Sequence, residues 1–184
     1  MLGKIRPALI FFGLFGMSIT HPILNLYGKN PEIFIANRSS SVQIIAFALI
    51  AALAPTLVAS TVWWAGRAVN QRLGDFLEMM LIAIAGLLLA SLTFQHIGVS
   101  TNLYLLPAII ASLVLGFYGS RQNFLRDWLT FLAIFPIVSL VIFLGFSSSA
   151  SLLWQAQAEA ETNAQIENPA PVVMLIFDAV SYTH

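Results

Sequence analysis

Five apolar stretches dominate this chain, each close to the length that crosses the roughly 30 Å hydrocarbon core of a bilayer. They run from about Ala8 to Leu26, Gln43 to Trp64, Phe76 to Phe94, Leu103 to Tyr118 and Trp128 to Phe146. In lipid, every backbone N–H and C=O must find its partner inside the protein, so stretches of this kind fold as helices. The expected class is all-α membrane, a five-helix transmembrane bundle over residues 1–154. Charged residues make up 9% of the chain, where soluble domains carry about a quarter, and the mean hydropathy is +0.87. The fourth stretch is the shortest; if it is re-entrant, four crossings remain. Lys4 and Arg6 before the first stretch resemble the start of a signal peptide, but no small-residue cleavage site follows, so the first helix is read as retained.

Lys and Arg stay on the cytoplasmic side of short loops. Lys4, Arg6, Arg67, Arg72, Arg121 and Arg126 all fall on one side of a five-span arrangement, and only Lys29 and Arg38 on the other. The amino terminus is therefore expected in the cytoplasm and, after an odd number of crossings, the tail outside. The partner implied is the lipid bilayer. No nucleic acid is expected, because the basic residues are scattered and the net charge is zero. With no cysteine, the chain has no disulfide, thiolate metal site or cysteine nucleophile.

Within the bundle the residues read as packing and anchoring. Trp63, Trp64, Trp128 and Trp154 sit at span ends, where aromatic belts form. Pro55, Pro107 and Pro136 are expected to kink their helices, and Gly13-x-x-Gly16 and Ala83-x-Ala85-Gly86 to allow close packing. Transport or proton relay places an ionisable group near the bilayer midplane; no span has Asp, Glu, Lys or Arg in its central turns. Asp75 and Glu78 begin the third span, within reach of headgroups and Arg72, and are expected to be interfacial. His21 and His96 could pair at the outer ends of spans one and three, but no third metal ligand accompanies them. The loop Gly28–Ser41, amphipathic and with a turn signal at Asn30-Pro31, is read as a solvated connection, the alternative being that it lies along the outer interface or supports a following domain.

Composition shifts to Gln, Ala, Glu, Asn and Thr over residues 155–170, an extracytoplasmic linker ending Asn168-Pro-Ala-Pro171. Then comes Pro171-Val-Val-Met-Leu-Ile-Phe-Asp178, an apolar run of strand length that delivers an acid at its carboxyl end, as a buried parallel strand presents a ligand. This pattern resembles the opening strand of the sulfatase, phosphodiesterase and alkaline phosphatase superfamily. Pro22–Ile35 is similar to the loop after the first span in bacterial membrane-anchored sulfatase-like proteins.

The resemblance implies that residues 171–179 are the first strand of a truncated α/β, alkaline-phosphatase-like domain, held outside the membrane by the bundle. It implies that Asp178 binds a divalent metal ion in the full-length parent, where that ion would activate a nucleophile and balance charge on a sulfate or phosphate ester substrate. Read without the resemblance, Asp178 caps a turn or helix after the strand. The function implied is the membrane anchor region of an extracytoplasmic sulfatase-like hydrolase, inactive as this fragment. Two alternatives stand beside it: a phosphoglycerol or phosphoethanolamine transferase of the same superfamily, and a small non-enzymatic membrane scaffold or accessory protein. Lipoteichoic acid synthases of the superfamily carry Glu at the ligand position, so Asp178 favours the sulfatase-like or phosphodiesterase-like branches. Residues 180–184, Val-Ser-Tyr-Thr-His, match a translation of the transposase end used in sequencing adapters, and are expected to be foreign to the natural protein.

Overall fold

In the computed structural model, residues 2–97 and 101–154 are described, and they are almost entirely helical, with no strand among them. The linker 155–170, the expected strand 171–179 with Asp178, and residues 180–184 lie outside the described residues. Five helical spans are long and apolar enough to cross a membrane: Ile5–Lys29, Ser41–Val69, Gln71–Gln95, Tyr104–Arg121 and Asn123–Phe146. The chain is thus a multi-pass membrane bundle. The helix of its fourth span, α6 (Thr101–Arg121), has 21 residues, about 32 Å at 1.5 Å per residue, long enough to cross the apolar layer.

The first span is the innermost. Half of its most apolar window is buried inside the protein, against 22% to 28% for the other four. It consists of α1 (Leu2–Phe15), a π-helical turn (Gly16–Thr20) and α2 (His21–Lys29). Around it lie α4 (Ser41–Val69), α5 (Gln71–Ile97) and a fifth span broken into α7 (Asn123–Phe131) and α8 (Ile134–Phe146), with α6 packed along α5. Ile10, Phe11, Leu14 and Phe15 of α1 meet Ala59, Trp63, Ile82, Ala85 and Leu129 in one buried cluster. Cleaving off this span would remove the centre of the bundle.

Prolines set the irregularities, each by withdrawing one backbone donor. Pro22 lacks the N–H that Ser18 C=O would accept, and the helix widens into the π turn just before it. Pro55 leaves Ala51 C=O without its i+4 donor, and the Thr20 hydroxyl of the π turn donates to that carbonyl at 2.9 Å. Two proline defects on neighbouring helices are thereby joined by one hydrogen bond. Pro136 does the same to Leu132 C=O, which accepts from Phe135 N–H at 2.9 Å in a tighter turn, and the break between α7 and α8 falls here.

Small residues let α1 press against that break. A methyl group at Gly13 would stand 2.7 Å from the Ala133 nitrogen, and one at Gly16 2.0 Å from Pro136 Cγ. On the other side of the bundle Gly116 of α6 faces Met79 O of α5, 2.6 Å from where its Cβ would be, beside Ala83. Without a hydrophobic force between helices in lipid, such close approach is what holds them together.

The loop expected to be solvated is packed. It forms a short helix, α3 (Glu32–Ala36), whose Phe34 is buried against Tyr27, Phe47 and Phe143, ring centroids 5.7 to 6.3 Å apart. The reason is amphipathicity: Phe34 is 6% exposed while Ile35, one residue on, is 60% exposed. Ser40 then starts α4 with a reciprocal capping box, its Oγ accepting from Gln43 N–H and Gln43 Oε1 accepting from Ser40 N–H.

Candidate functional site

Polar side chains gather at the two ends of the bundle. At the end bearing Lys29 and Arg38, His21, Asn25, Lys29, Ser139 and Ser147 surround a cavity of about 230 Å³ whose walls include Phe143. His21 Nδ1 lies 3.2 Å from Ser139 Oγ, a contact across spans one and five. Ser149 ties the chain leaving α8 to the end of α2, donating from Oγ to Tyr27 C=O at 2.6 Å and from its N–H to Gly28 C=O at 3.2 Å. His21 thus meets a hydroxyl of span five, and the side chain of His96, the other histidine at this end, lies outside the described residues.

The opposite, basic end holds a denser network. The connections here are one residue long, Asn70 between α4 and α5 and Gln122 between α6 and α7, so four helix ends converge. Asn70 Oδ1 accepts from Arg72 N–H and Asn70 C=O from Gly74 N–H, fixing the start of α5. Gln122 C=O accepts from Arg126 N–H, which starts α7 and turns the Arg126 side chain back toward α5. Its Nη2 reaches Glu78 Oε1 at 2.9 Å, and its Nη1 donates to Ser120 C=O at 2.8 Å. A second ion pair, Arg6 with Asp127, ties α1 to α7 at the same level.

Glu78 does not face solvent or pair with Arg72 as expected. Its residue is 3% exposed, its partner is Arg126 and not Arg72, and the Trp63 indole stands beside its carboxyl group. Trp63 is corrected likewise: Trp64, Trp128 and Trp154 are exposed, as belt residues are, but Trp63 is 5% exposed, with the Arg67 guanidinium 5.4 Å from its ring centroid. Burying a carboxylate is costly unless it is paired, and the pairing here is with a guanidinium that is itself held by a backbone carbonyl. The sequence signal was partial: a carboxylate within a span requires a partner, and Arg67, Arg121 and Arg126 all lie at the same end.

Beside the pair opens a cleft of about 470 Å³ lined by Arg72, Asp75, Phe76, Ser120, Arg121 and Arg126, together with Glu78 and Met79. Among the described residues no group of three or more His, Asp or Glu side chains is arranged to hold a metal ion. The residue expected to bind metal, Asp178, is outside the described residues. Fold and site together define a five-span membrane bundle with a charged network at one end and a small polar cavity at the other. Comparison with protein-family models, with curated proteins and with solved structures finds no match to this chain.

Proposed function

We propose that the bundle is the membrane platform of an extracytoplasmic, metal-dependent sulfatase-like ester hydrolase in a bacterial inner membrane, with Asp178 as its first metal ligand. The observation that carries the reading is the run Pro171–Asp178, an apolar strand pattern delivering a carboxylate after a proline-bounded linker. The distribution of charge supports it: six basic residues at one end and two at the other would orient five crossings with the basic end in the cytoplasm and the chain after residue 154 outside. In the reaction, Asp178 would supply one hard oxygen ligand. The ion it helps to hold would lower the pKa of a hydroxyl nucleophile and offset charge on the sulfuryl or phosphoryl oxygens. A single carboxylate cannot hold such an ion by itself, so the remaining ligands belong to other strands of the same domain.

The test is expression of the complete reading frame that contains Asp178, followed by assay with p-nitrophenyl sulfate and p-nitrophenyl phosphate. Hydrolysis should be abolished by chelation. Asp178→Asn should lower it by more than roughly 100-fold, since even residues that only orient a ligand cost 10- to 100-fold. Hydrolysis unchanged in Asp178→Asn would remove Asp178 from the metal site, and no ester hydrolysis at all would remove the enzymatic reading.

A further inference from the structure

We propose that the cleft at the basic end binds the phosphodiester headgroup of an anionic phospholipid. Its lining contains the guanidinium groups of Arg72, Arg121 and Arg126 and the carboxylates of Asp75 and Glu78, an excess of one positive charge. The charges are not evenly matched within it. Glu78 is committed to Arg126 at 2.9 Å, whereas among the described residues neither Arg72 nor Arg121 lies within ion-pairing distance of an acid. Arg121 instead rests over the Phe117 ring, 4.4 Å from its centroid, a position that keeps the guanidinium ordered without neutralising it. A phosphodiester monoanion cancels the excess of one charge and accepts from the fork of donors that a guanidinium presents.

Position favours a lipid as the source of that phosphodiester. The cleft sits where α5 starts, α6 ends and α7 starts, the level at which these spans leave the apolar layer and meet the headgroups. One apolar side chain of its lining, Phe76, is 52% exposed, placed to meet an acyl chain below a bound headgroup. Basic pockets between helix ends at this depth are where anionic headgroups bind. The Glu78–Arg126 pair links α5 to α7 along one side of the cleft. This inference does not depend on what the residues after 154 do.

The full chain, purified in a neutral detergent and titrated with dioleoylphosphatidylglycerol under native mass spectrometry, should retain that lipid in preference to dioleoylphosphatidylcholine. Arg72→Gln/Arg121→Gln should weaken retention about thirty-fold, from about 1 kcal/mol per basic residue near an anionic surface. Removal of equal charge at the other end, Lys29→Gln/Arg38→Gln, should leave it unchanged. Should the arginine variant fail to fold, a photoreactive phosphatidylglycerol on the unaltered chain gives the answer: its crosslinks should map to residues 72–79 and 120–126. Retention equal in the arginine variant, equal retention of the zwitterionic lipid, crosslinks elsewhere, or displacement by millimolar inorganic phosphate would each overturn the assignment; the last would identify a soluble phosphate as the ligand.

Discussion

The Glu78→Leu chain should lose roughly 3 kcal/mol of stability, because it strands the Arg126 guanidinium in the bundle with only a backbone carbonyl for company. Removing one member of a buried ion pair costs about 3–5 kcal/mol, and the Arg126 side chain is 20% exposed, which places the effect at the lower end. The double variant Glu78→Leu/Arg126→Leu should recover most of the loss, since replacing both charges by apolar groups of similar volume is often neutral. Reversible unfolding in mixed micelles measures both. A single variant as stable as the parent would mean that Glu78 is hydrated rather than paired.

Gly16→Leu should do more damage. The first atom of the new side chain would lie 2.0 Å from Pro136 Cγ, and proline cannot swing aside as a flexible side chain can. Overpacking costs typically about 1–3 kcal/mol when neighbours can shift. Here the π turn and the α7–α8 break are both pinned by prolines, so a loss above about 3 kcal/mol, or failure to accumulate in the membrane, is expected. Gly145→Leu provides the contrast, because nothing lies within 4 Å of the position its Cβ would take. It should be nearly neutral by the same unfolding measurement. Equal behaviour of the two variants would show that α1 does not press on Pro136.

The five crossings were legible because bilayer thickness imposes a length and an apolar content that few other structures need. Helix neighbours were not legible from periodicity. In lipid the outward face of a helix is as apolar as its inward face, so α4 and α8 show no polar stripe from which a packing direction can be read. What does point inward is size, and Gly13 and Gly16 marked the contact with the fifth span without saying which helix would fill it. Ser40 and Gln43 have the three-residue spacing of a capping box, yet the second span was expected to begin only at Gln43; Phe34 lies in a loop whose amphipathic pattern alone did not separate packing against the bundle from solvation.

Glu78 shows where closer reading of the sequence would have helped. Arg72 is six residues earlier on the same helix, about 240° around it, whereas side chains that meet along a helix are three or four residues apart. Arg72 was thus excluded by helical geometry. Choosing among Arg67, Arg121 and Arg126 required knowing that Gln122 alone separates α6 from α7 and that Arg126 follows it by one turn. For Asp178 the sequence pattern itself remains the ground for the proposed role.

The absence of cysteine from the chain gives a clean test of the platform arrangement on which the whole account rests. Single cysteines at Gln71, at the basic end, and at Thr162, in the linker, can be probed with a membrane-impermeant maleimide in intact cells and again after permeabilisation. Thr162→Cys should react in intact cells, and Gln71→Cys only once the membrane is opened. Reaction of both, or of neither, in intact cells would put the linker on the same side as the basic end and contradict a five-crossing platform that presents an external active centre.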